Sequence, residues 1–155
     1  EANRRHFRPD IWIVNPATMM KTADLREQFP AFNWVGMKML GSVKEINTGQ
    51  RGLLIADVQG AVPKLQALFQ PLGDVRYGEE RWVTECNTIA TYHALDACMS
   101  IEDDIRRKGL PEELIRPAAT LVARGLIQSY MDNTLAHFGH SILEQVVKDR
   151  EKRKQ

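Results

Sequence analysis

Short apolar runs separated by turn residues predict strands in the first half of the chain. Residues 11–14 and the run LLIADV at 53–58 are rich in aliphatic and β-branched side chains, and each is followed by turn-forming residues. Such runs are typical of buried strands. A last short strand is predicted at 75–77. Asp57, near the end of the second run, is expected to cap the backbone amides of the turn that follows it.

Helices are predicted between these strands. Asn15 with Pro16 ends the first strand and can open a short helix through ATMMK. Thr22 is a typical N-cap residue, and its helix must stop before Pro30. Pro63 suits the first turn of another helix, which the sequence PLGD ends. The segment at 32–46 fits both strand alternation and a helical turn, and we interpret it as a helix.

From Gly78 onward the hydrophobic spacing changes to three and four residues, which predicts long helices. The first should end at Arg106 and Arg107, because cations favour the negative end of a helix and Gly109 can adopt the left-handed conformation that follows it. Pro117 should kink the next helix, since it has no amide proton to donate. The apolar stripe of the first long helix comprises Trp82, Cys86, Ile89, Ala90, His93, Ala97, Ile101 and Ile105.

Together these elements predict an α+β, helix-dominant fold. A small N-terminal sheet region is expected to pack with three long C-terminal helices that supply most of the core. We expect one domain over residues 1–155, with an irregular α/β half at 10–77 and a helical half at 79–150. Because the chain begins at Glu1 without an initiator methionine, we interpret it as part of a longer chain.

The charge balance argues against binding to bulk nucleic acid or membrane. The chain has 21 basic and 20 acidic side chains and a net charge of +1, so no strong field attracts a polyanion. In the cationic tail, Asp149 and Glu151 interrupt the basic residues, which is typical of a solvated helix end.

Cysteine content and hydropathy indicate a reducing compartment. Cys86 and Cys98 are too few for a disulfide framework, and we expect both to be reduced and buried. No stretch approaches the roughly 20 apolar residues of a membrane span. Arg4, Arg5 and Arg8 would satisfy the positive-inside rule if a membrane segment preceded them, although a solvated arm is the favoured interpretation. The predicted location is therefore the cytoplasm, at the inner face of a membrane if the chain is anchored.

A metal site is the strongest chemical candidate. His137 and His140 are three residues apart, and His93 with Asp96 could close the other side, since imidazole and carboxylate suit zinc, iron or manganese. We nevertheless favour structural roles, with His93 buried in the apolar stripe. The sequence has no strained Gly-x-Ser-x-Gly turn and no phosphate-binding glycine loop. No catalytic residue, metal or cofactor is assigned.

The preferred functional hypothesis is a non-enzymatic protein–protein interaction module, the cytoplasmic domain of a larger, membrane-anchored bacterial assembly protein. Phe32, Trp34, Met37 and Met39 are the predicted partner-binding residues, because adaptable methionine and aromatic side chains suit partner surfaces. The partner is expected to be a protein, self-association included. The alternative is a metal-dependent hydrolase that uses His93, Asp96, His137 and His140.

Overall fold

The fold is taken from a computed structural model, in which residue 8 and residues 10–154 are described. Four strands and seven α-helices follow one another along this part of the chain. The elements are β1 (Trp12–Asn15), α1 (Thr22–Gln28), β2 (Asn33–Leu40), α2 (Val43–Asn47), β3 (Gly52–Ala56), α3 (Val62–Phe69), β4 (Gly73–Tyr77), α4 (Glu80–Arg107), α5 (Ile115–Pro117), α6 (Arg124–Met131) and α7 (His137–Lys152). The predicted α+β, helix-dominant class is confirmed.

The four strands form one mixed sheet in the order β1-β2-β3-β4. β1 pairs with β2 in parallel, with Val14 opposite Val35. β2 pairs with β3 antiparallel, with Met37 opposite Ala56. β3 pairs with β4 in parallel. The two parallel pairs are joined by α1 and α3, as parallel neighbours require a crossover connection.

The prediction of a helix at 32–46 is wrong over most of that segment, because residues 33–40 form β2. The strand lies between two neighbours, and residues 35–38 are all buried. A strand covered on both faces loses the simple apolar and polar alternation, so its pattern is easily mistaken for a helix. Only Val43–Asn47, at the end of the segment, is helical. The short helix considered for ATMMK is absent too, since 16–21 form a loop.

The hydrophobic core lies between the sheet and α3. Odd-numbered residues of β2 point to this face, because successive side chains of a strand alternate. Trp12, Val14 and Met39 are half-buried around its edge. The core side chains are Val35, Met37, Leu54, Ala56, Ala61, Leu65 and Val75.

The chain divides into two compact units, a sheet unit that ends at Thr91 and a helical unit that begins at Tyr92. The boundary falls within α4, so this helix belongs to both.

α4 ends as predicted, with Arg106 and Arg107 in its last turn and Gly109 at φ +65°. The next helical run changes to π-type hydrogen bonding at Ala118–Ala123, directly after Pro117. The irregularity predicted at this proline is therefore a π-helical segment.

The long C-terminal helices do not supply most of the core, contrary to the prediction. Every buried apolar side chain of the described residues lies at or before Val83. Ile89, expected in the apolar stripe, is 59% exposed. Cys86 and Cys98 are free thiols, but both are exposed rather than buried. Among the described residues, no helix combines the length and the apolar character that crossing a bilayer requires.

Candidate functional site at the carboxyl end of β1

Asn15 organises the loop that follows β1, here called the β1–α1 loop (residues 16–21). Its side-chain oxygen accepts a hydrogen bond from the Ala17 amide at 3.1 Å. Its side-chain nitrogen donates to the Met20 carbonyl and to the Thr22 hydroxyl, both at 2.9 Å. Asn15 is buried, so these bonds replace the water that it loses on folding. The loop is therefore closed onto the end of the strand.

Lys38 lies under this loop and is 2% exposed. Its ammonium group donates to the carbonyls of Asn15, Ala17 and Met20 at 3.2, 2.6 and 2.9 Å. The Glu80 carboxylate lies 3.4 Å away. An ammonium group has three protons to donate, and here it meets three carbonyls and one carboxylate. A buried cation needs such compensation, so Lys38 fixes the shape of the loop.

Glu80, the first residue of α4, connects the loop to that helix. Its carboxylate accepts hydrogen bonds from the Thr22 amide at 3.1 Å and from the Thr22 hydroxyl. Gly36 makes this approach possible, because a Cβ there would lie 2.7 Å from both the Glu80 carboxyl carbon and the Thr22 hydroxyl oxygen. Four side chains thus form one connected group, called here the Lys38 cluster: Asn15, Thr22, Lys38 and Glu80.

A cavity of about 310 Å³ adjoins the Lys38 cluster. Lys21, Arg81, Thr84 and Glu85 are among its lining residues. Arg81 is held by Glu79 at 2.6 Å and by Glu85 at 3.7 Å. The hydrogen bond with Arg81 lowers the pKa of Glu79 and raises the pKa of Arg81. Lys21 is exposed and makes no ion pair or side-chain hydrogen bond among the described residues, so it is the cation of this rim that is available to an anionic ligand.

Asp57 forms a second polar contact at the sheet. Its carboxylate accepts the Gly36 amide at 2.8 Å and pairs with Arg26 at 2.7 Å. The predicted capping of the following turn is not among its contacts, because the side chain turns back towards β2. Arg26 also donates to the Trp34 carbonyl. This arrangement ties α1 to the strands and needs no ligand to explain it.

The four predicted partner-binding residues are divided between the core and the opposite side of β2. Met37 is 4% exposed and belongs to the core, and Met39 packs against that core. Phe32 and Trp34 are half-buried and meet edge to face at 6.3 Å. They line a cavity of about 370 Å³ with Trp12 and Arg26 among its walls. Partner binding at Phe32 and Trp34 stays a prediction.

The predicted metal ligands are not brought together. His93, His137 and His140 are all exposed, so His93 is not the buried structural histidine that its position in the stripe suggested. Across the described part of the chain, no group of three or more histidine, cysteine or carboxylate side chains has the geometry to hold a metal ion.

Sequence reasoning missed the Lys38 cluster. One observation could have found it, since a lysine in the middle of the run VGMKML is unusual in a buried strand. Its partners lie 18 to 23 residues before it and 42 residues after it. Because they meet only through the sheet and the start of α4, their spacing in the sequence carries no information about the contact.

Comparison with known proteins gives similarity to solved structures. No protein-family model and no curated protein matches this chain. Among solved structures, the chain is similar to a pyrroline carboxylate reductase of Plasmodium falciparum crystallised with NADP bound. The TM-score is 0.53 and the sequence identity 15%, over 92% of this chain and 64% of the other. The chain thus spans less than two thirds of that protein's length. At this identity the likeness establishes the fold alone.

This finding overturns the preferred functional hypothesis. A non-enzymatic interaction module was predicted from the absence of catalytic motifs and from the methionine and aromatic residues. The prediction is wrong, because nearly the whole chain shares its fold with an enzyme. The absence of catalytic motifs was a poor argument, because a chain without a recognisable motif can still share the fold of an enzyme.

The β1–α1 loop does not resemble a binding site for the phosphates of a dinucleotide. Dinucleotide phosphates are usually bound by a glycine-rich turn and free helix amides. Here the β1–α1 loop has no glycine, and three of the carbonyls at this turn point to Lys38. The first amide of α1 is already bound by Glu80. The β1–α1 loop therefore lacks the features that are typical of a phosphate-binding turn.

Proposed function

We propose that this chain is part of an NADP-dependent reductase that acts on a small, carboxylate-bearing substrate. The observation that carries the proposal is the fold shared with an NADP-bound pyrroline carboxylate reductase over 92% of the chain. The Lys38 cluster and its cavity support a site at this place. Ligands of α/β sheets usually bind outside the carboxyl ends of strands, and Asn15 is the last residue of β1.

The roles of the residues follow from their surroundings. Lys38 and Glu80 have their bonding capacity occupied within the protein, so they act as positioning residues that hold the β1–α1 loop. Lys21 lies at the end of that loop with its ammonium group available, and we assign to it the binding of the substrate carboxylate. The reduced cofactor, NADPH, would supply the hydride when it is bound. Since the β1–α1 loop does not resemble a phosphate site, no step that involves the cofactor is assigned to the described residues.

The proposed location is the cytoplasm. Cys86 and Cys98 are exposed free thiols. Free thiols are typical of reducing compartments, where disulfides are rare. This supports the cytoplasmic part of the sequence prediction.

The test is an activity assay on the natural protein that contains this chain. NADPH oxidation is followed with a cyclic imine carboxylate as substrate, and with the same cyclic imine lacking the carboxylate. We expect turnover only with the carboxylate. Lys21→Ala should raise KM by about tenfold or more, the loss expected for one charge-assisted hydrogen bond, at an unchanged melting temperature.

Lys64→Ala is the matched control, because Lys64 is a cation of the same unit that stacks on the Trp12 ring, 4.8 Å from its centroid, and does not line the cavity. Its KM should equal that of the wild type. No NADPH oxidation with any cyclic imine carboxylate would overturn the reductase proposal. Turnover with equal KM values for the wild type and Lys21→Ala would remove Lys21 from the site.

A further inference from the structure

β4 lies at one edge of the four-stranded sheet, so no described strand pairs with its outer side. The Gly78 amide, directly after β4, donates to the Ala56 carbonyl of β3 at 3.0 Å. The backbone groups of successive residues in a strand point to opposite sides. The even-numbered residues of β4 therefore face β3. The odd-numbered residues direct their amides and carbonyls to the outer side, and they are Gly73, Val75 and Tyr77.

The Gln66 side chain, from α3, occupies part of this outer side. Its oxygen accepts a hydrogen bond from the Val75 amide at 2.6 Å, and its nitrogen donates to the Gly73 carbonyl at 3.4 Å. A side-chain amide offers an acceptor oxygen and donor hydrogens, as a peptide group does. Gln66 is half-buried in this position. It therefore stands where the backbone of a further strand would lie.

The side chains of β4 suit pairing with a second copy of the same strand. Val75 is 3% exposed and belongs to the core, so Asp74 and Arg76 lie on the opposite face, where both are exposed. In an antiparallel pair of β4 strands centred on Val75, residue 74 of one chain lies opposite residue 76 of the other. A two-fold axis repeats this contact, so a carboxylate meets a guanidinium twice. Opposite charges in such cross-strand positions stabilise a sheet.

The ion pair that Asp74 makes within its own chain does not prevent this contact. Asp74 pairs with Arg51 at 2.9 Å, and both side chains are more than half exposed. Exposed ion pairs of this kind contribute little to stability. The Asp74 carboxylate is therefore able to meet a second cation across the sheet edge.

We propose that the β4 edge is a strand-pairing surface for a second copy of this chain, and that the Gln66 side chain keeps it closed. Exposed sheet edges recruit other strands unless they are protected. A second β4 pairs only after Gln66 gives up its hydrogen bonds to Val75 and Gly73, so the side chain competes directly with the incoming strand. Neither the edge nor Gln66 takes part in the proposed reductase activity.

The test compares Gln66→Ala with the wild type by sedimentation at matched concentrations. The variant should associate about a hundredfold more tightly through β4 than the wild type does. Each of the two chains then no longer gives up its Gln66 hydrogen bonds, a gain of about tenfold per chain. Gln70→Ala is the matched control, because Gln70 is an exposed glutamine that directly follows α3, and it should sediment like the wild type.

Charge exchange separates strand pairing from aggregation of a misfolded chain. In the Gln66→Ala background, Arg76→Asp places carboxylates opposite each other, and Asp74→Arg places guanidinium groups opposite each other. Like charges in these positions are destabilising. Each double variant alone should therefore return to the association state of the wild type. A mixture of the two places the acids of one chain opposite the bases of the other, and it should associate as Gln66→Ala does.

Hydrogen exchange of the wild type tests the closed state itself. The Val75 and Tyr77 amides both point to the outer side, and Gln66 bonds the Val75 amide. The Val75 amide should therefore exchange about tenfold more slowly than the Tyr77 amide, or slower still. Equal exchange rates would overturn the proposed closure.

Three sedimentation results would overturn the strand-pairing proposal. The first is a Gln66→Ala variant that sediments like the wild type. The second is association that survives Arg76→Asp and Asp74→Arg, because the contact would then not depend on β4. The third is a mixture of the two double variants that stays dissociated.

Discussion

The sheet unit and the helical unit differ in how far their apolar side chains are buried. In the sheet unit, Val35, Leu54 and Leu65 are at most 2% exposed, and the polar side chains that are buried have partners. In the helical unit the helices are regular, yet the apolar faces of α4, α6 and α7 are open. The difference shows that regular helices are not evidence of a packed core. A hydrophobic stripe predicts a helix, and it predicts that the stripe will be covered. It does not predict which surface covers it.

The largest loss of folding stability is expected when Lys38 is replaced. This substitution tests whether the sheet unit depends on the Lys38 cluster. In Lys38→Met, three carbonyls lose their donor and Glu80 loses its cation. Removing one partner of a buried ion pair typically costs about 3–5 kcal/mol. Denaturant unfolding measures the loss, and Lys64→Met, which changes an exposed lysine on α3, is the control. Equal unfolding midpoints for the two variants would show that the cluster is dispensable.

The next effect tests the core directly. Leu65 and Leu68 lie on the same helix, α3, but they are 2% and 72% exposed. Leu65→Ala should reduce the free energy of unfolding by about 2–5 kcal/mol, because it removes buried surface and leaves a cavity. Leu68→Ala should change it by no more than about 0.5 kcal/mol. Comparable losses in chemical denaturation would mean that the core is not where the structure places it.

A smaller loss of folding stability is expected when Gly36 is replaced. This substitution tests how closely the Glu80 carboxylate must approach the backbone of β2. In Gly36→Ala the new methyl group overlaps the Glu80 carboxylate and the Thr22 hydroxyl. Overpacking of this kind costs about 1–3 kcal/mol. Gly60→Ala is the matched control, since no atom lies within 4 Å of a Cβ there, and it should be neutral or slightly stabilising. Thermal unfolding of both variants decides, and a neutral Gly36→Ala would contradict the described contact.

The smallest effect concerns the pH dependence at the start of α4. The Arg81 side chain lowers the pKa of Glu79 below the ordinary glutamate value. A carboxyl group with a lowered folded-state pKa stabilises the fold above its ordinary pKa, and this contribution disappears as the pH falls through the lowered value. NMR titration should show the pKa of Glu79 rising in Arg81→Gln and unchanged in Arg51→Gln. The same titration in all three proteins would refute the contact.

The order of the helices and strands could largely be predicted from local sequence patterns. The apolar run at 53–58 and Pro63 predicted β3 and α3, because short-range composition and proline geometry determine both. The end of α4 was predicted from Arg106, Arg107 and Gly109. β2 was not predicted, since burial on both faces removes the alternation that identifies a strand.

The candidate site could not be predicted from sequence patterns. The methionines selected as a partner surface are core or edge residues of β2, because side-chain type alone does not distinguish an adaptable surface from an adaptable core. The histidines considered for the alternative metal site are exposed, and no group of three or more described ligand side chains could hold a metal ion. Lys38 was overlooked although it is the most unusual residue of its strand, because its significance depends on three distant carbonyls.

The sequence by itself determined the fold class, most of the helix and strand positions and the near-neutral charge, since these follow from local propensity, periodicity and composition. Only the tertiary structure decided which apolar faces are buried. It also decided that Lys38 meets Glu80 across 42 residues and that the described residues of the helical unit form no buried apolar core. The physical reason is that burial and ion pairing depend on which surfaces meet in space, and the pattern along a chain records only that a surface is apolar or charged.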